Sequence, residues 1–417
     1  MTSRHMSTST SFTSNNNCNL QLNRWYLKPI GAWPQMNDLS TTCKILVLLQ
    51  IFICVIVVAC IMIPCALFVL FENANIKLRL GAVAALLHRV MGLVNYYVLL
   101  RRSSDIRKLI RHMEEDWEII NRVEDRKVMI QYAKFGRFVA GICGVIMHGG
   151  AFLFSIARAM KTVPFTVGNE TFRMHPMTCP VYSKIIDARF SPVNEIALIL
   201  QFLSTFIVSS STVGGCSLAA VFAMHACGQL NVLCTWLHEL VENQKENHVT
   251  ERKMAVIVEH HLRVLSFIAR VESIINKISL AELMGCTISM CLMGYYLLLA
   301  LEDFDAAKIT SYINVYLAMA FNIFIYCYIG EIITEQCKHV GEMAYMTDWY
   351  NLHHKTARGL VLIIARSNNV MKITAGKLFH LSVATFGDVS NMYRLHKNVS
   401  ERYAKRKNNQ YIFIIVC

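Results

Sequence analysis

The chain has 417 residues, of which 54% are hydrophobic and 17% charged, with a formal net charge of +13. A soluble domain usually carries about 25% charge, so the composition excludes an ordinary soluble enzyme and points to several membrane-spanning helices. The chain is too apolar for disorder, and its basic excess lies in short segments between apolar runs, which argues against nucleic acid as a partner.

Residues 1–44 are polar and rich in Ser, Thr and Asn, and are read as a cytoplasmic segment. No short apolar core with a small-residue cleavage site opens the chain, so no cleaved signal peptide is expected. A hydrocarbon core needs about 20 helical residues to cross it. Six runs meet that length: Ile45–Phe71, Leu78–Leu100, Phe138–Ala157, Ile196–Met224, Ile278–Leu301 and Ser311–Ile333. A shorter run, Ile373–Val389, is read as a seventh span although it carries Lys377, His380 and Asp388. The transmembrane domain then covers 45–389, and 390–417 form a basic tail.

Lys and Arg set the orientation. The segments 1–44, 101–137, 225–277 and 334–372 hold 25 of them, and the alternate connections hold 8. The richer set is assigned to the cytoplasm, which puts the N-terminus inside and, with seven spans, the C-terminus outside. The sequon at Asn169 falls in a connection assigned to the outside, as glycosylation requires. A second sequon, at Asn398, lies in the tail. In the long inner segments Leu230, Leu233, Leu237 and Leu240, then Ile257, Leu262, Leu265 and Ile268, recur near helical spacing. Helices there are expected to run on past the membrane and pack together.

Reactive chemistry is sparse. Most of the 15 cysteines sit in apolar runs, where Cys behaves as a small hydrophobe, and none has C-x-x-C spacing. Cys179 is the clearest outer-loop cysteine, with no partner readable. No hydrolase, zinc-protease, phosphate-loop or dinucleotide motif appears, so neither an enzyme nor a metal or other cofactor is expected. Neighbours on a helix do not share a face, so His260-His261 and His353-His354 are not read as ligand pairs. Glu114, Glu115, Asp116 and Glu118 are read as a solvated face.

Polar residues inside spans say more, because burying them is costly. His88-Arg89 interrupts the second run, so either the helix is displaced and Arg89 snorkels to water, or the pair faces an aqueous cavity. The small residues from Ser209 to Gly215 favour close helix packing. Met91, His148, Phe152, Phe206, Tyr312 and Tyr316 lie in the outer halves of their helices, beside Met293, Tyr296 and Met319. Such Met-rich aromatic walls suit a small hydrophobic ligand.

Three stretches resemble the insect odorant receptor family, in the form found in ants, bees and wasps. They are Leu22 to Pro34, Ala344-Tyr345-Met346-Thr347-Asp348-Trp349-Tyr350, and Met371 to Phe379 followed by Ser382 and Thr385 to Val389. The resemblance spans about residues 20–389 in order and spacing. It implies an all-α bundle of seven transmembrane helices with an intracellular N-terminus. It further implies a cation channel gated by a small volatile or hydrophobic odorant, in contact with membrane lipid. Such a subunit would form a heterotetramer with the odorant receptor coreceptor in the plasma membrane of a sensory neuron. The odorant pocket would lie among helices two to six in their outer halves. The end of the seventh helix would line the pore. Trp349 and Tyr350 would belong to the cytoplasmic subunit-anchoring domain. A gustatory receptor of the same architecture is the alternative.

The sequence departs from the family at its end, where an apolar helix should continue after Val389 but the chain turns basic. Val389-Ser390 can be encoded by GTAAGT, the usual start of an intron, so 390–417 are read as intron read-through. A full-length transcript that keeps those codons would refute this, and the chain would then be a truncated, non-conducting isoform.

Overall fold

The computed structural model describes residues 19–35, 40–120, 122–167, 170–185, 187–242, 247–302, 304–389 and 391. Within them the helices are α1 (Gln21–Leu27), α2 (Thr41–Phe71), α3 (Ile76–Arg101), α4 (Ser103–Ile119), α5 (Val123–Ala159), α6 (Val193–Glu242), α7 (Asn247–Glu302), α8 (Ala306–Met346) and α9 (His354–Asn368). A final helical stretch covers 383–389. Six of these, α2, α3 and α5 to α8, are long and apolar enough to cross a membrane. They run up and down, so the bundle has an upper end carrying the 160–192 connection and a lower end carrying α4 and α9.

The sequence supplies a side-chain cap at the start of α2, α3 and α8. The Ser40 hydroxyl accepts from the Cys43 amide at 3.4 Å before α2, and Asn75 Oδ1 accepts from the Lys77 amide at 3.2 Å before α3. Asp305 does the same for the Lys308 amide at 3.0 Å before α8. Helix α2 is apolar on all sides and exposes Ile45, Leu46, Leu48, Leu49 and Phe52, the face expected of a helix bathed in lipid.

Helices α6, α7 and α8 have 50, 56 and 41 residues. At 1.5 Å per residue they extend about 75, 84 and 62 Å, well beyond a hydrocarbon core of about 30 Å. Their lower halves pack with α4, α5 and α9 into an apolar core in which Leu230, Leu233, Leu237, Leu240, Ile257 and Ile268 are buried. Leu262 departs from the expected stripe and is 54% exposed, while His261 is buried. A step of five residues from Ile257 turns about 140° away, whereas a step of four stays on the face.

The acidic run is not a solvated face throughout. Asp116 is buried and accepts from His225 Nε2 at 2.9 Å and Arg263 Nε at 2.7 Å, with His112 Nε2 at 3.6 Å. Burial works against ionising Asp116. The hydrogen bond and charge of His225 and the charge of His112 prevail and hold its carboxyl below the usual carboxylate range. Nearby, Arg122 grips Glu239 with two bonds of 2.6 and 2.7 Å, and Trp236 Nε1 donates to Asp125 at 2.8 Å. These contacts tie α4, α5, α6 and α7 together at the lower end.

Two small hairpins complete the fold. At the upper end β1 (Val163–Val167) pairs antiparallel with β2 (Glu170–Met174), and Phe165 and Phe172 pack on Phe190. The second hairpin corrects the reading of Ile373–Val389 as one continuous helix. Strands β3 (Thr374–Ala375) and β4 (Phe379–His380) pair antiparallel, and helix resumes only at 383. Gly376 and Lys377 both take positive φ, the conformation of a tight hairpin turn. Gly376 is also required for space, since a Cβ there would lie 2.4 Å from Leu280 Cδ2.

Candidate ligand cavity

A cavity of about 440 Å³ lies in the upper half of the bundle, within the size range of small-molecule sites. Its mouth is at Asn75, Lys77 and Leu78 on the exposed start of α3, and the Tyr296 hydroxyl donates to the Lys77 carbonyl there. Each helix supplies a stripe at helical spacing. Helix α8 contributes Tyr312, Val315, Met319 and Asn322, and α7 contributes Glu282, Cys286, Met293 and Tyr296. From α3 come Ala85, His88, Arg89 and Met91, and from α6 Thr205, Ser209 and Thr212. Helix α5 adds Met147, Ala151, Phe154 and Arg158, and Met177, Thr178 and Pro180 of the 160–192 connection complete the wall.

The floor is polar. Glu282 is buried to 1% exposure on α7. One carboxyl oxygen accepts from Asn95 Nδ2 of α3, and the other accepts from Asn322 Nδ2 of α8 at 2.6 Å and from Cys286 Sγ at 3.5 Å. Asn95 also donates to Thr212 Oγ1 of α6 at 3.2 Å. A buried carboxyl is tolerated only with such partners, so the cluster joins four helices where the cavity closes.

Met91 and Tyr312 stand on the cavity wall. Gly285 makes room for Met91, because a Cβ there would lie 2.1 Å from the Met91 sulfur. His148, Phe152 and Phe206 are brought together, but not onto the wall. The His148 ring stacks on Phe152 at 5.5 Å and on Phe206 at 6.2 Å, and its Nδ1 lies 2.9 Å from the hydroxyl of Ser209, which does line the cavity. A π turn at Gly144–His148 ends at this histidine. Tyr316 is half-buried one position beyond the Tyr312–Val315–Met319 stripe and is not a wall residue. Trp349 and Tyr350 lie far from the cavity along the chain, in a short 3₁₀ turn at the lower end. They are 48% and 69% exposed, with ring centroids 6.2 Å apart. Asn169, Asn398 and the tail from 392 fall outside the described residues. Cys179 is buried in one small cluster with Cys65 of α2.

The two readings of His88-Arg89 are now distinguished. Both line the cavity, and Arg89 is 2% exposed, so it does not snorkel to the surface. Sequence reasoning missed Asn95, Glu282 and Asn322. Each is a polar residue inside an apolar run, the same signal that marked Arg89. Among the described residues no group of three or more His, Cys, Asp or Glu is placed to hold a metal.

The sequence pattern of the 7tm Odorant receptor family matches residues 75–393. Odorant receptor Or2 of Anopheles gambiae is 22% identical over 345 residues, covering 79% of this chain and 88% of that one. Odorant receptor 82a of Drosophila melanogaster is 25% identical over 196 residues, 47% of this chain and 50% of that one. Among solved structures, the insect olfactory receptor OR5 from Machilis hrabei in complex with eugenol superposes with a TM-score of 0.75. It does so at 13% identity, over 94% of this chain and 99% of that one. The fold is therefore that of an insect olfactory receptor, a multi-pass membrane receptor and not an enzyme, and the chain belongs to the 7tm odorant receptor family.

Proposed function

We propose that the chain is the tuning subunit of an odorant-gated cation channel, assembled with the odorant receptor coreceptor as a heterotetramer in the plasma membrane of an olfactory neuron. The observation that carries this reading is the cavity. It is walled mainly by apolar, aromatic and Met side chains, reaches exposed residues at the upper end, and closes on polar groups midway down the bundle. That is the construction of a site for one small, mostly apolar molecule. The OR5 structure described with eugenol supports the same ligand class.

The upper end faces outward in this reading, because the lower end holds the segments richest in Lys and Arg. Asn169 is then extracellular and glycosylated. The exposed pair Trp349 and Tyr350, next to exposed Tyr345 and Met346, forms an apolar patch suited to subunit contact in the cytoplasm.

A route from ligand to pore follows the two helices that bear the floor. Three residues below Glu282 on α7, Ser279 Oγ donates to the Thr374 carbonyl at 3.2 Å. Below that, the Asn276 carbonyl accepts from the Gly376 amide at 2.7 Å. On α8, just below Asn322, Phe324 packs edge-on against Phe386 at 5.4 Å. The segment leading to the pore is thus held by the same α7 and α8 that carry the floor. A ligand that binds better when these helices have moved shifts the population toward the open state.

The test is co-expression with the coreceptor in a voltage-clamped cell and exposure to an odorant panel. Dose-dependent cation current is expected, and Tyr316→Ala, beside the wall stripe, should shift the dose-response with surface expression unchanged. Absence of current to every odorant, with both subunits at the surface, would reject the reading. The gustatory alternative predicts current to non-volatile tastants only.

A further inference from the structure

We infer that the cavity is built for an amphiphile with an apolar chain and a carboxylate head, and that Arg89 binds the head. This deepens the odorant reading and rests on it for where the ligand binds.

The cavity wall carries Lys77, Arg89 and Arg158, with His88 beside Arg89, and one acidic side chain, Glu282. Their hydrogen bonding is unequal. Both oxygens of Glu282 already accept from side-chain donors on neighbouring helices, so the carboxyl has little left to offer a cationic ligand.

Arg89 is in the opposite condition. A guanidinium has five N–H donors and stays charged. In Arg89 one Nη reaches the Ala85 carbonyl only at 3.5 Å and the other reaches Thr205 Oγ1 only at 3.4 Å, both at the long limit of a hydrogen bond. Its Nε has no partner, and among the described residues no carboxylate lies within ion-pair distance of it. Yet the side chain is 2% exposed. An unpaired charge at this depth is costly, and a planar two-oxygen acceptor entering the cavity would offset that cost.

Arg158 repeats the pattern on the facing helix. One Nη donates to the Met177 carbonyl at 3.1 Å, the guanidinium lies over Phe154 at 6.0 Å, and Nε is again without a partner. Thr205 and Ser209 add hydroxyls on the same wall. Arg89 lies twelve residues below Lys77 on α3, about 18 Å along the helix. A carboxylate at Arg89 therefore leaves its alkyl chain the length of the apolar wall up to the mouth.

The experiment is equilibrium binding of radiolabelled nonanoic acid to the purified full chain at neutral pH, with nonanal and 1-nonanol as competitors. Simple partitioning favours the neutral competitors, because the ionised acid prefers water. The expected result is saturable binding with the acid at least about tenfold tighter than the alcohol, the scale of a charge-assisted hydrogen bond. Arg89→Gln should abolish that preference with alcohol affinity kept, which also reports an intact fold. Arg89→Lys, which keeps the charge without the planar fork, should retain part of it. Acid binding no tighter than alcohol binding, or an unchanged preference in Arg89→Gln, overturns the proposal. If Arg89→Gln does not fold, Arg89→Lys decides: a reduced acid preference supports the proposal and an unchanged one overturns it. The assay needs no channel activity, so it fails separately from the odorant-gating reading. Current evoked by neutral odorants without acid preference sinks only this inference.

Discussion

The two halves of the bundle are built from the same long helices but solve opposite problems. In the lower half Leu230, Leu233 and Leu237 have no solvent-accessible surface, and Asp116 is held by His225 and Arg263 at short distances. In the upper half α3, α5, α6, α7 and α8 stand apart around a cavity of about 440 Å³, and Arg89 is left with only long hydrogen bonds. Close packing around these leucines rigidifies one half, with a groove at its margin beside Trp236, Leu240 and Ile257, and incomplete packing leaves the other able to accept a guest. A helix of 56 residues serves both ends because its upper stripe is spaced for a wall and its lower stripe for a core.

A lower core that tolerates truncation would remove the difference between the two halves. Leu237→Ala should destabilise the protein by about 3 kcal/mol, read as loss of thermal stability in detergent, because a close-packed site cannot collapse around the missing atoms. No loss there would mean the lower half is as loose as the upper.

Asp116→Asn probes the polar part of the same core. Removing one partner of a buried pair costs about 3 kcal/mol, toward the low end here because Arg263 is 30% exposed. The pH dependence has a definite sign. The folded carboxyl titrates below its unfolded value of about 3.9, so its stabilisation is fully present above that pH. It is lost as pH falls through the folded value. The carboxyl itself stays ionised between about pH 5 and pH 7, and the asparagine variant should lose part of the acid-limb slope. An unchanged acid limb would show that the ion pair does not form in solution.

Trp349→Ala should have the smallest effect on the isolated chain, within about 0.5 kcal/mol, since the ring is exposed. Its expected consequence is reduced co-purification with the coreceptor. Normal assembly would remove these aromatics from the subunit-anchoring role proposed for them.

Much of the frame was legible in the sequence, and the reason is dimensional. Six apolar runs matched the bilayer, and the structure extends the same helices into the lower core that Leu230 to Leu240 announced. The hairpin at 374–380 was not legible, because an apolar run of that length reads equally as helix, and only the turn at Gly376 and Lys377 separates the two. The cavity was half legible. Met91 and Tyr312 were placed on its wall from their helix faces, but Tyr316 stands to one side, since the rotation of α8 depends on neighbours that one sequence does not display. The floor residues each stood out as polar positions in apolar runs, but their meeting was out of reach for the same reason. Asn95 and Glu282 are 187 residues apart and meet only when α3 packs on α7.

The most direct test of the central claim, that the upper cavity is where the ligand acts, is to fill it. Ala151 lines the wall from α5 and projects no bulk into the space. The measurement is the dose-response of Ala151→Phe, co-expressed with the coreceptor, to whichever odorant drives the unmodified receptor, with surface expression monitored in parallel. Normal surface expression is expected, with a loss of sensitivity of at least about tenfold, the cost of one lost favourable contact of modest strength. An unchanged dose-response at normal expression would contradict the claim and place the ligand elsewhere.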